Sequence, residues 1–325
     1  MSKKKVSLEI IIISIVIVLS FAYILFKKTD KVHYKVPELI NIKVNSLTKI
    51  SISKGDRVVD LENKKDGWVV GEDGFKTDKF KIDKITNIVS NLKLTTLVSK
   101  SGNYYKYELD DPRKINVRVF SGKDIVREFD TGKVASTYDH TNVKIKGDNN
   151  IYHAGGSIQK DLDKTIDDLR YKKVFLIEKD KIKQITFNLD GKEYVLNKSI
   201  IPVTKEEKNG SETEGEPEVE TRWDFNKTKI ENSEVNSILG IVSNLSCDEY
   251  VYTGTDLKAA EQLFSVKLVG SIENSITIYK LQNKEDEKYR GETSQTEYKF
   301  FIKKFRIDNF LNPLKKIFGI EEEEN

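Results

Sequence analysis

The chain predicts an α+β fold: an N-terminal transmembrane helix, then two tandem duplicated domains, each an antiparallel-rich sheet with packed helices. Three observations predict it. The pentapeptide Ile-Val-Ser-Asn-Leu of residues 88–92 returns at residues 241–245. Seventeen positions from Ile10 to Phe26 carry no charge. Elsewhere, short β-branched and aromatic runs alternate with polar residues between Gly, Asp and Asn, the period-two pattern of half-buried strands.

The apolar run is read first. Residues 1–7 form a short tail expected on the cytoplasmic side, and residues 8–26 the membrane anchor, built on Ile10, Ile13, Val16, Leu19, Phe21, Leu25 and Phe26. A helix over the uncharged positions is about 26 Å long, slightly under a hydrocarbon core. A cleaved signal peptide is the competing reading, since Lys3, Lys4 and Lys5 form a basic n-region. The apolar run is longer than a usual h-region, no small-x-small cleavage site follows, and Lys27 and Lys28 end it abruptly, so an uncleaved anchor is expected. Lysines flank both sides and do not set the orientation. The bulk is placed outside the cytoplasm, at the cell membrane facing the periplasm or cell surface, because an anchor before a large domain is the common export arrangement. One cysteine, Cys247, excludes an internal disulfide framework.

Residues 1–35 hold seven lysines against Glu9 and Asp30, leaving 48 basic and 50 acidic residues beyond them. That balance lacks the clustered basic excess of a nucleic-acid binder, so no nucleic acid is expected as partner.

After a tether over 27–42, the first domain is expected at 43–177 and the second at 178–318. The repeat reaches beyond five letters. Ile82, Ile85, Ile88, Val89 and Leu92 recur 153 residues later as Val235, Ile238, Ile241, Val242 and Leu245, one helix face twice. Ile50, Ile52, Val59 and Leu61 answer Ile185, Phe187, Tyr194 and Leu196, and the only tryptophans, Trp68 and Trp223, fall in register. Lys172-Lys173-Val174-Phe175 answers Lys315-Lys316-Ile317-Phe318. A unit of about 130 residues is a domain, not a solenoid repeat. Trp68, Ile85, Val89, Leu92, Trp223, Ile238, Val242 and Leu245 are the expected repeat core.

Within the first copy, a hairpin turns at Lys54-Gly55-Asp56 and a strand follows Asp66-Gly67 at Trp68-Val69-Val70. Asp78 caps a helix ending near Leu92. Strands follow near 94–98, 115–120, 125–129, 143–145 and 151–152, then a helix carrying Ile158, Leu162, Ile166 and Leu169. The second copy repeats the order, with strands near 182–188, 193–196, 223–225, 251–253, 264–268, 275–281 and 297–302 around a helix at 233–245. The matching offset grows from 135 to 155 between Leu196 and Trp223, so the glutamate-rich stretch 204–222 is an inserted loop at a hairpin tip, where extra length costs little. In the last helix, basic residues interleave with Phe305, Phe310, Leu311, Leu314, Ile317 and Phe318, a face expected to close the domain, with membrane contact as the alternative. Residues 319–325 are an acidic tail.

Chemistry-bearing groups are few. His33, His140 and His153 lack zinc-finger or helical HxxxH spacing. Tyr138-Asp139-His140-Thr141 is the most polar cluster, an acid beside an imidazole, and reads as a surface loop. Cys247 has no neighbouring histidine and reads as a small hydrophobe. No G-x-S-x-G elbow, Walker A loop or G-x-G-x-x-G fingerprint occurs. No catalytic residue, cofactor site or metal site is expected.

The order hairpin, Asp66-Gly67-Trp68, amphipathic helix, Tyr-x-Leu-Asp-x-Pro (Tyr107, Leu109, Asp110, Pro112), Gly132, Ile151-Tyr152 and Asp168-Leu169-Arg170 before Lys172-Lys173-Val174-Phe175 resembles domain-of-unknown-function family 4340, best over residues 44–176. Many relatives carry Gly before the Leu of this motif, where this chain has Glu108, and the second copy has Phe264-Ser265-Val266 in place of the Asp-Pro element. The resemblance implies a membrane-anchored envelope protein associated with a gliding-motility-type ABC transporter, and no catalytic residues.

The expected function is a non-catalytic, extracytoplasmic binding or scaffold protein whose partners are the lipid bilayer and an ABC-transporter-type membrane protein. The alternatives are an envelope hydrolase using Asp139 and His140 in a cleft between the repeats, and a ligand sensor.

Overall fold

The computed structural model describes residues 8–26, 34–202, 219–251, 260–280 and 286–320. The tail 1–7, part of the tether, most of the acidic insertion and residues 321–325 lie outside the described residues. So do the side chains of Ile10, Leu25 and Phe26.

Helix α1 (Leu8–Phe26) forms where the apolar run predicts a helix, and Ile13, Val16, Leu19 and Phe21 are more than half exposed on it. The expected transmembrane anchor is nevertheless corrected: among the described residues, no helix is long and apolar enough to cross a membrane. At 19 residues the helix is about 28 Å long, short of a hydrocarbon core of about 30 Å.

The α+β expectation is corrected too. Strand accounts for 45% of the described residues and helix for 26%, and the strands form two large antiparallel sheets. The first comprises β1 (Lys49–Lys54), β2 (Arg57–Lys64), β3 (Gly67–Val70), β4 (Phe75–Lys76), β5 (Leu94–Ser99), β6 (Ile115–Ser121), β7 (Asp124–Val134), β8 (His140–Ile145) and β9 (Ile151–Gly155), with α2 (Lys79–Ser90) between β4 and β5. Two short turns of helix, α3 (Gln159–Leu162) and α4 (Ile166–Leu169), precede β10 (Lys173–Leu176). The second sheet comprises β11 (Gln184–Leu189), β12 (Lys192–Pro202), β13 (Val219–Phe225) and β14 (Thr228–Ile230), then α5 (Asn232–Val242) and the short β15 (Asn244–Ser246) that pairs with β10. It continues through β16 (Glu249–Tyr250), β17 (Gln262–Val269), β18 (Glu273–Tyr279), β19 (Lys288–Thr293) and β20 (Thr296–Lys303), and ends in α6 (Lys304–Phe318).

The two sheets have one topology. The first runs β4-β3-β2-β1-β6-β7-β8-β9-β5 and the second β14-β13-β12-β11-β17-β18-β19-β20-β16. Pairing agrees residue by residue: Ile50 stands opposite Leu61 and Val119, and Ile185 opposite Leu196 and Leu268. This register aligns Ile115-Asn116-Val117 with Phe264-Ser265-Val266, inside β6 and β17. Phe264-Ser265-Val266 is therefore a central strand and not the counterpart of the Asp-Pro element.

Alternation sets the cores. Ile115, Val117 and Val119 of β6 are buried, as are Ile185, Phe187 and Leu189 of β11, because successive side chains on a strand point to opposite faces. Ile82, Ile85 and Val89 of α2 are buried, with Leu92 beyond its end. In the second sheet α6 closes the core as expected: Phe310 and Phe318 are buried, Phe318 stacks on Phe187 at 5.7 Å, and Phe310 meets Phe264 at 5.6 Å. Ile238, Val242, Leu245 and Trp223 are buried here, whereas Trp68, on the matching strand β3, is only half-buried.

Compactness divides the chain into one unit of residues 1–66 with 83–164 and another of residues 67–82 with 165–325. Within the second unit, residues 165–172 strap the β4 hairpin. Thr77 bridges to Arg170, the amide of Asp78 donates to Leu169 O (2.9 Å) and that of Tyr171 to Lys76 O (2.8 Å).

The expected helix through Ile158–Leu169 is broken into α3 and α4. Asp163, between them, is drawn to Lys54 and Arg57, whose bonds hold its carboxyl below the usual carboxylate range despite the opposing effect of burial. Thr165 then starts a new turn through a capping box with Asp168. Likewise Lys173–Leu176 is a strand, while its sequence match at 315–318 ends a helix. Strands β12 and β13 pair up to Pro202 opposite Val219, so the insertion leaves the sheet from the end of that hairpin.

Candidate functional site

Three clusters of polar or aromatic side chains stand out, and two are built from the motif residues. In the second unit, Arg170 is 8% exposed, and its guanidinium lies 3.6 Å from the ring centre of Phe75, 3.8 Å from that of Tyr250 and 4.9 Å from that of Tyr298. Phe75 and Tyr298 meet edge-on at 5.4 Å, and Tyr250 meets Tyr298 edge-on at 6.0 Å. A weakly hydrated, planar cation suits this box of π-faces, where a lysine ammonium would not. Burial lowers the pKa of Arg170, yet an arginine stays charged there.

The surroundings of the box complete the hydrogen bonding. Tyr250 donates its hydroxyl to Tyr171 O at 2.8 Å, and burial raises its pKa. Asp167 accepts from the amide of Tyr250 at 3.2 Å and pairs with Lys172. Cys247, the lone cysteine, is buried beside this group, and burial pushes its thiol up to about 11. It is therefore a protonated hydrophobe at neutral pH and a poor nucleophile.

The second cluster is the Tyr-x-Leu-Asp-x-Pro loop of the first unit. Tyr104–Tyr107 form one turn of 3-10 helix, closed by Glu108 in the left-handed region at φ 57°. Leu109 is buried. Asp110 takes a bidentate bond from Arg113, Nη2 donating to Oδ1 at 2.6 Å and Nε to Oδ2 at 3.2 Å, which lowers its pKa. Arg113 also stacks on Tyr105 at 3.9 Å. Gly132 lies against this loop so closely that a Cβ would stand 2.1 Å from Tyr107 O. The motif thus records one packing contact, a loop pressed on a strand.

Glu108 explains a departure noted in the sequence. A residue with a Cβ is strained at positive φ, and glycine is not. Glu108→Gly should therefore stabilise the first unit by about 0.5–1 kcal/mol, relief of strain exceeding the entropy lost by glycine. Urea denaturation measures it; a midpoint that falls would show that the Glu108 side chain contributes more than its backbone costs.

The third cluster is the histidine pair. His140 on β8 and His153 on β9 stack at 5.3 Å between ring centres with a 27° interplanar angle. Burial and the neighbouring His140 lower the pKa of His153. Asn142 faces His153 directly across the strands. The backbone carbonyl of Asp139 accepts from the amide of Gly156 at 2.7 Å; the ring that meets His140 is that of His153. Sequence spacing had set the histidines apart, yet the β8–β9 hairpin brings together two of the three. The signal was available: a hairpin between the strand runs near 143–145 and 151–152 places 142 opposite 153. Among the described residues, no three or more His, Cys, Asp or Glu side chains gather as a metal site.

Fold and clusters define a protein of two like-ordered antiparallel β modules, in which the motif residues of the first copy build packing contacts. The family described as Domain of unknown function (DUF4340) matches residues 68–266, more than half of the 325 residues, and the chain belongs to it. No curated protein and no solved structure matches the chain.

Proposed function

We propose that this chain is a non-enzymatic binding or scaffold protein, acting outside the cytoplasm at a lipid surface as an accessory component of an ABC-transporter-type envelope complex. The observation that carries the reading is where the family's motif residues go. Arg170 fills an aromatic box, Asp110 clamps Arg113, and Gly132 admits a neighbouring loop. These residues maintain a shape, as expected of a protein that works by presenting surface. The large apolar side chains from Ile12 to Ile24, each exposed by half or more, favour a lipid or apolar protein covering.

Crosslinking in intact cells, followed by purification of the full chain, tests the reading. Recovery of an ATP-binding-cassette subunit or its membrane-embedded partner is expected. Recovery of neither, with the chain itself crosslinked and abundant, would count against it.

A further inference from the structure

The geometry points to a second, unassigned property: we propose that His140 and His153 form an open two-imidazole site for a divalent transition cation such as zinc or nickel. On β8 and β9, His140 stands opposite Gly155 and Asn142 opposite His153, so His140, Asn142 and His153 share one face of the sheet, and the imidazoles are diagonal neighbours. Rings at such positions reach each other, and these do, at 5.3 Å.

That separation suits a shared cation. A zinc–imidazole bond of about 2.1 Å, plus about 1.1 Å from ring nitrogen to ring centre, puts the metal about 3.2 Å from each centre. Two such arms spanning 5.3 Å meet at about 110°, the tetrahedral angle preferred by zinc. The rings stand stacked at an interplanar angle of 27°; rotation about each Cβ–Cγ bond, which leaves the ring centres nearly in place, turns the in-plane lone pairs towards one point.

Hydrogen bonding supports the same reading. Asn142, 3% exposed, donates from Nδ2 to Lys133 O at 2.7 Å, while its Oδ1 is buried without a hydrogen-bond partner. A water on the cation's open coordination positions would supply that missing donor. The nearest lysine along this face of β8, Lys144, is directed over the ring of Tyr104, 5.6 Å from its centre. With two protein ligands, the site is of moderate affinity and exchanges with solvent, which suits a sensing or crosslinking role more than a structural one. The proposal is independent of the partner proposed above.

Calorimetric titration of zinc chloride, and separately nickel chloride, into the full chain in detergent at neutral pH tests it. One equivalent is expected to bind in the wild type and in His33→Ala, which removes the remaining histidine. His140→Ala and His153→Gln should each weaken binding by about tenfold or more, with unchanged circular dichroism showing that the sheet is intact. Should a variant unfold, His140→Gln provides the same reading. Wild-type affinity in the His140 and His153 variants, or no saturable binding below millimolar metal, would overturn the proposal.

Discussion

Replacing Arg170 with alanine is expected to lower the stability of the second unit by about 3 kcal/mol, or about 6–12 °C in melting temperature for a unit of this size. The guanidinium touches three rings at 3.6, 3.8 and 4.9 Å in a nearly closed setting. Desolvated cation–π contacts are worth up to about 2 kcal/mol each, and truncation also leaves a cavity that the rigid rings cannot collapse to fill. Lysine should not restore the loss, because a compact ammonium is costly to strip of water and cannot stack flat on Phe75 and Tyr250. A melting curve within 2 °C of wild type, an allowance set by the scale of a ~1 kcal/mol effect, would show the box to be incidental.

Gly132→Ala should be comparably severe in the first unit, about 3 kcal/mol. The added Cβ would lie 2.1 Å from Tyr107 O and 3.0 Å from both Glu108 O and Leu109 Cγ. Two of these are backbone atoms on a loop already fixed by the Asp110–Arg113 bond and by the buried Leu109, so they cannot swing aside as a flexible side chain would. Gly155→Ala is the matched control, because a Cβ there meets nothing within 4 Å. The pair separates crowding from any general cost of adding a methyl group. Equal urea midpoints for the two variants would contradict the packing account.

What the sequence makes legible follows from how far its determinants reach. Helices α2 and α5 carry their stripe within one segment, and strands such as β1, β6 and β11 alternate cleanly, so local period suffices to place them. Strand β19, Lys-Tyr-Arg-Gly-Glu-Thr, was not read, because its charges hide the period and its place is set by a neighbour: Gly291 stands opposite Phe300, whose ring occupies the space a side chain would take. The segment 158–169 shows the reverse error. Its apolar spacing suits a helix, but the bonds from Lys54 and Arg57 to Asp163 and the Thr165 cap divide it, and Lys54 and Arg57 lie more than 100 residues away.

The candidate clusters divide the same way. Asp110, Gly132 and Arg170 are visible as motif letters, while their roles as clamp, gap and stacked cation depend on Arg113, Tyr107, Phe75, Tyr250 and Tyr298, which no spacing rule joins to them. The histidine pair needs only hairpin register. The apolar run of α1 makes its helix legible, and the membrane span it also suggests is not found among the described residues.

Cross-strand disulfide trapping most directly tests the claim that one sheet topology is used twice. Two cysteine pairs, at Ser53 with Asn116 and at Asn188 with Ser265, join β1 to β6 and β11 to β17 at register-matched positions; Cys247→Ser removes the native thiol. Facing residues on adjacent antiparallel strands bring Cα atoms within about 4.5–5.5 Å, inside disulfide range. Both pairs should oxidise to intramolecular disulfides in the folded chain and stay reduced when one cysteine of each pair is moved one position along its strand, which turns it to the opposite face. A second pair that fails to close while the first closes would show that the later sheet has a different order.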